Sequence, residues 1–382
     1  MHDYPELIYW LALINESNLK LNLVKPIIQQ WCFSERRSLT ELFDLSPWEW
    51  STRFGLSDDE ANRAVAARNK LPKQAAVVAQ WRAQNIEPLI RTDPRYPRRL
   101  IHVLPPAKQP SILWAHGALN LLNEPGVALL GGQIPDEPTT KLINELMRTL
   151  VSEDISLISG YGRGLDRVTF EAMLATQGGR AVTVLPLGLS AFAKSTSKLE
   201  EAVATQRIVL VSPFAPDTPF QEKLAEARSL IIDHLALALL IPQTDDDAEA
   251  RASAALERGL PVFVGLTDTA GNRALIDQGA LLLTDAGEVI EMVQQAIIDT
   301  ALLEEDEAPV EPASVAPVTP SLSATSADAG DAYTLPVEEV EPIDSDEALE
   351  ILSLGGNVPE ILRKRLKKPG KGGKSAKKQS GE

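Results

Sequence analysis

Residues 155–166, Ile155-Ser156-Leu157-Ile158-Ser159-Gly160-Tyr161-Gly162-Arg163-Gly164-Leu165-Asp166, decide the fold. A short, largely apolar run leads straight into three glycines at alternate positions, and 165–175 then takes up the apolar spacing of a helix. Strand, glycine-rich turn and helix in immediate succession form the repeating joint of an α/β sheet. The same alternation extends both ways. Apolar strand runs occupy 127–130, 155–158, 181–185, 208–211, 236–241 and 261–264, with 281–283 at the edge. Amphipathic stretches at 141–150, 165–175, 223–231 and 248–257 separate them. Near-continuously apolar strands alternating with helices predict a mostly parallel sheet covered on both faces, a Rossmann-like doubly wound α/β domain over 126–302.

Towards the N-terminus, 1–72 reads as a small helical domain of the SAM or helix-hairpin-helix kind. Leu7, Trp10, Leu11, Leu13 and Ile14 recur at helical spacing, and Ser38 and Ser57 stand where helix caps belong. Trp31, Trp48 and Trp50 are expected to pack in its core. Residues 73–125 combine a connecting helix near 75–84 with an extended, proline-punctuated lead-in. Residues 303–345 read as a disordered acidic linker, and 346–382 as a short helix followed by a basic tail.

Charge follows the same division. The chain carries a net charge of −16 over 382 residues. Fourteen acidic residues and no lysine or arginine lie in 304–350, whereas 363–382 holds nine basic residues and one acidic. The folded part is therefore only mildly acidic, and local placement decides what it binds. One cysteine, Cys32, excludes a disulfide framework within the chain. The opening residues lack a signal-peptide pattern, and no apolar run approaches the roughly 20 residues of a membrane span. A cytoplasmic protein with no membrane association is expected.

The glycine-rich turn carries the chemistry. Its N–H groups and the following helix start suit a phosphate, with Ser159, Gly160, Gly162 and Gly164 shaping the cradle and Arg163 adding a charge-assisted bond. Asp166 is placed to cap the helix or orient the loop. An unliganded tight turn accounts for the glycines equally well. Lys194 follows a strand end at the edge where such sheets bind ligands, which makes it a phosphate candidate. The tail residues Arg363, Lys364, Arg365, Lys367 and Lys368 could track a nucleic-acid backbone without sequence preference, or simply stay solvated. The four histidines show no ligand spacing, so no metal is expected. Asp245-Asp246-Asp247 reads as a solvated helix start.

Ser159-Gly160-x-Gly162-x-Gly164-Leu165-Asp166 resembles the Ser-Gly-x-Ala-x-Gly-Ile-Asp signature of the DNA-processing-A (DprA/Smf) family. Further segments are similar to that family in the same order: Asp93-Pro94-x-Tyr96-Pro97-x-x-Leu100, Pro105-Pro106, Leu113-x-x-x-Gly117, Val127 to Gln133, and Gly271-Asn272-Arg273-Ala274-Leu275-Ile276-Asp277-Gln278-Gly279-Ala280. The resemblance covers roughly residues 7 to 300. It implies non-catalytic single-stranded DNA binding, loading of a RecA-type recombinase, DNA uptake or transformation, a homodimer and no cofactor. Arg228 falls where the family has a basic run, and joins the loop as a DNA-binding candidate. Gln133 stands in place of a DNA-contacting arginine, and Ala227 in place of an asparagine. Two other readings remain open: a nucleotide sensor or nucleotide-processing enzyme of the same superfold, and a dimeric scaffold whose DNA surface has decayed.

Overall fold

The computed structural model describes residues 5–131, 134–193, 197–266 and 269–306. Helices α1 (Glu6–Glu16), α2 (Leu21–Ile28), α3 (Leu39–Leu42), α4 (Pro47–Phe54) and α5 (Asp58–Ala66) build the N-terminal module, and α6 (Leu71–Ala83) leaves it. The starts are set by sequence. Ser46 and Ser57 each accept the backbone N–H three residues on, while Glu49 and Glu60 reach back to the cap, closing two capping boxes. Gly55, left-handed at φ 66°, ends α4.

The α/β part follows as β1 (Glu87–Ile90), α7 (Arg98–Val103), β2 (Ile112–Gly117), β3 (Gly126–Leu129), α8 (Glu137–Ser152), β4 (Ser156–Ser159), α9 (Leu165–Ala175), β5 (Ala181–Val184), α10 (Leu189–Ala193), α11 (Ser197–Ala204), β6 (Ile208–Ser212), α12 (Leu224–Leu235), β7 (Leu239–Ile241), α13 (Asp246–Glu257), β8 (Val262–Val264), α14 (Ala270–Asp277), β9 (Leu281–Leu282) and α15 (Ala286–Asp306). One sheet in the order β1-β2-β6-β5-β4-β3-β7-β8-β9 holds all the strands. Pairing is parallel from β6 through to β9. Only β1 and β2 run antiparallel, to each other and to β6. This is the Rossmann-like architecture that the strand and helix alternation predicts.

The lead-in differs from its expectation. It is not merely laid across the domain: β1 and β2 extend the sheet beyond β6, and α7 sits between them. Its prolines fall outside the central strands, where a missing N–H costs no ladder bond. Gly117 shows why the segment fits. It adopts φ 108°, and a Cβ there would lie 2.3 Å from the Ile208 carbonyl oxygen, so only glycine lets β2 approach β6. At the other end, α15 runs through Asp306, into the stretch read as linker; the rest of that linker and the basic tail lie outside the described residues. Among the described residues no helix is long and apolar enough to cross a membrane.

Two apolar clusters form the core, one on each face of the sheet. The helical module shares one of them, because Ile90, Ile112 and Trp114 continue its packing, with Trp81 edge-on to Trp114 at 6.0 Å. Trp31 and Trp50 are fully buried as expected, but Trp48 is 74% exposed. It sits on the outer face of α4, two residues before Trp50, where successive positions of a helix point in different directions.

Polar contacts pin the module to the sheet. Glu6 accepts from the Thr92 hydroxyl at 2.8 Å and from the Leu39 N–H at 3.2 Å. The buried Arg91 donates to Gln29 at 2.8 Å and lies 4.1 Å from the Phe33 ring. Cys32 belongs to this seam. Burial, reinforced by the Glu6 carboxylate, pushes its thiol up to about 12. The thiolate is the reactive form, so labelling near neutral pH should run on the order of 10³-fold slower than for a free cysteine. Stopped-flow thiol labelling in buffer and in denaturant checks this; fast native labelling would contradict the packed seam.

Candidate nucleic-acid interface

The loop after β4 is organised from within. Ser159 Oγ donates to Asp166 Oδ1 at 2.5 Å and accepts the Tyr161 N–H at 2.9 Å. Asp166 Oδ2 accepts the Gly162 N–H at 2.7 Å. The carboxylate thus acts as an internal anion that fixes the turn. Of the amides the motif offers a phosphate, that of Gly162 is already taken. What remains is the first turn of α9, whose N-cap, Gly164, supplies no side-chain acceptor.

Tyr161 takes a left-handed conformation, φ 54°, which is uncommon for a non-glycine residue. Its ring is buried edge-on against Phe170 at 4.9 Å and Phe192 at 6.0 Å. Core packing therefore holds the turn from below. Arg167, one residue past Asp166, lies 3.6 Å from the Tyr161 ring centroid, with its Nε enclosed and without a hydrogen-bond partner.

Arg228 reaches the same loop from α12. Its guanidinium packs so closely on Gly160 that a Cβ there would meet Nε, Cζ and Nη1 at 3.2 Å. Its Nε is buried with no hydrogen-bond partner. Burial draws its pKa below the ordinary arginine value, and Asp166, Asp247 and Asp233 offset this only in part. Those three carboxylates are committed elsewhere. Asp166 holds the loop, while Asp233 and Asp247 bind Arg251 at 2.7 Å and 3.3 Å. The loop thus brings a half-buried, incompletely bonded cation to the end of β4.

The other expected residues sort plainly. Ser159, Gly160, Gly162, Gly164, Asp166 and Arg228 come together, with Arg163 half-buried in the same turn. Lys194, Gln133 and the tail residues Arg363, Lys364, Arg365, Lys367 and Lys368 lie outside the described residues. Asp245 caps α13 by accepting the Ala248 N–H at 2.8 Å, which suits a helix start. Asn272 of the Gly271-Asn272 motif is buried, donates to the Gly265 carbonyl at 2.8 Å and bonds Thr244, so it stitches loops together. Arg167 and Arg251 lie outside the set of residues that the sequence points to. Arg167 adjoins the motif and was visible as its next residue. Arg251 owes its role to Asp233, 18 positions away on another helix, which no local pattern reveals.

The chain is similar to known proteins over this same region. The family model for DNA recombination-mediator protein A matches residues 87–294, starting at β1 and ending within α15. Protein Smf of Escherichia coli (strain K12) is 28% identical over 223 residues, 56% of this chain and 59% of Smf. The DNA processing protein DprA of Streptococcus pneumoniae is 27% identical over 191 residues, 47% of this chain and 66% of that protein. The chain thus spans less than two thirds of either curated relative. In structure, DprA of Streptococcus pneumoniae superposes with a TM-score of 0.56 at 20% identity, covering 76% of this chain and 98% of that one, which shows a shared fold. With the family match spanning more than half its length, this chain belongs to the DNA recombination-mediator protein A family.

Proposed function

We propose that the protein binds single-stranded DNA at the loop 159–166 and Arg228, carries out no covalent chemistry, and mediates recombination by handing the strand to a RecA-type recombinase. The observation that carries this is the Arg228 guanidinium, packed against Gly160 with its Nε buried and unbonded and the neighbouring carboxylates already engaged. An exogenous phosphate is the partner that such a group lacks. Ser159, the nucleophile-type group of the loop, is 2% exposed and tied to Asp166, which suits a binding role rather than attack on a substrate. Arg163, in the same turn, adds a phosphate contact; Lys194 would add another, and the tail residues Arg363, Lys364, Arg365, Lys367 and Lys368 would add affinity without selecting single strands.

A homodimer and a cytoplasmic setting complete the proposal. Leu266, Ile276 and Leu282 are exposed around the β9 edge, where a second copy would cover them.

Fluorescence anisotropy with labelled oligo-dT and a matched duplex, across a salt series, tests the reading. The full chain, a chain ending at Asp306 and that shorter chain with Arg163→Ala are compared. The shorter chain should keep a preference for the single strand, and Arg163→Ala should weaken it roughly tenfold. If only the full chain binds, with no strand preference, the tail is the binder and the loop reading fails.

A further inference from the structure

Helices α10 and α11 close over β2 and β6 and leave a pocket of about 160 Å³ that the phosphate site does not use. Phe192 and Val203 give it apolar walls; Gln84, His116, Ser190 and Glu200 give it a polar rim. The rim has a defined hydrogen-bonding sense. His116 Nδ1 lies 2.7 Å from the Asn85 carbonyl oxygen, which only a ring N–H can satisfy; in that Nδ1–H tautomer Nε2 is an acceptor. Ser190 Oγ donates to Gln84 Oε1 at 3.0 Å, which leaves the Gln84 amide N–H groups as donors.

Apolar walls with a donor, the Gln84 amide, and acceptors, His116 Nε2 and the Glu200 carboxylate, around them suit a flat heteroaromatic ring whose edge alternates acceptors and donors. Among the described lining residues there is no lysine or arginine, and Glu200 contributes a carboxylate. A sugar would leave the apolar walls unused. Phe192 also connects the pocket to the phosphate loop, because its ring packs edge-on against Tyr161 within that loop. We propose that the pocket takes one unstacked nucleobase of a strand whose phosphates lie at the loop. This rests on the DNA-binding reading and supplies its selectivity: a base stacked and paired in a duplex cannot enter.

The test uses the full chain and three probes: oligo-dT, an abasic deoxyribose-phosphate strand of equal length, and free thymidine. Wild type should bind oligo-dT at least about tenfold more tightly than the abasic strand, and excess thymidine should erode that difference. Val203→Phe, which fills the pocket, should abolish most of the difference while leaving abasic binding unchanged. His116→Ala, a rim change that leaves the walls intact, should reduce it roughly three- to tenfold, and serves if the larger side chain disturbs folding by circular dichroism. Folded variants that retain the full wild-type ratio would overturn the pocket while leaving the DNA-binding reading in place. A wild-type protein that binds neither strand would overturn both.

Discussion

Arg251→Met is expected to cost about 3–5 kcal/mol of stability, because it strands a buried carboxylate rather than removing a surface ion pair. Asp233 on α12 and Arg251 on α13 are 11% and 16% exposed, and Arg251 grips Asp233 with Nη2 at 2.7 Å and Nε at 3.1 Å. Two parallel N–H···O contacts in this fork geometry are the arrangement in which arginine binds carboxylate most strongly. Methionine keeps much of the apolar stem, so little of the cost comes from packing. Asp233→Leu combined with Arg251→Met removes both charges and should recover most of the loss, since a buried pair is often worth little against an apolar replacement. Urea unfolding at constant m checks both. A single-variant cost below about 1 kcal/mol would mean the pair behaves as a solvated surface bridge. A second consequence reaches the site: without Arg251, Asp233 and Asp247 are released to draw on Arg228, so DNA affinity should fall as well.

The strand and helix alternation was legible because parallel strands, buried on both faces, leave continuous apolar runs, as at 181–185 and 208–211. β1 and β2 were harder to read. They lie among prolines, and their place beyond β6 depends on an antiparallel pairing of Trp114 with Ser212 that no local pattern encodes. The site divides in the same way. Ser159, Asp166 and the glycines are contiguous, so their turn could be read directly. That Asp166 would occupy an amide expected for a ligand could not, since a carboxylate four residues from Gly162 caps and repels equally well on paper. The contact between Arg228 and Gly160 joins two elements 68 positions apart and exists only once α12 packs against β4. Trp48 shows the limit from the other side: composition counts three tryptophans as core, and helical phase puts one of them in solvent.

Arg228→Met should separate binding from stability more sharply than any other change in the protein. A cation that is desolvated and only partly compensated destabilises the fold that holds it, so an unbranched apolar replacement should leave the urea midpoint unchanged or raise it. Its Nε gains nothing from the fold, being buried without a partner, and the nearby carboxylates already serve Ser159, Gly162 and Arg251. If that group is kept for a DNA phosphate, the variant forfeits a charge-assisted bond of about 1.5–3 kcal/mol, or roughly 10- to 150-fold in affinity for oligo-dT. The slope of log affinity against log salt should flatten by about 0.7 for one lost contact to a single strand. Arg228→Lys keeps the charge but not the fork, and should fall between the two. Anisotropy titrations in a salt series, paired with urea melts of the same preparations, decide the matter. A variant that loses stability and keeps its DNA affinity would assign Arg228 to the architecture of the loop, and the phosphate would have to be held elsewhere.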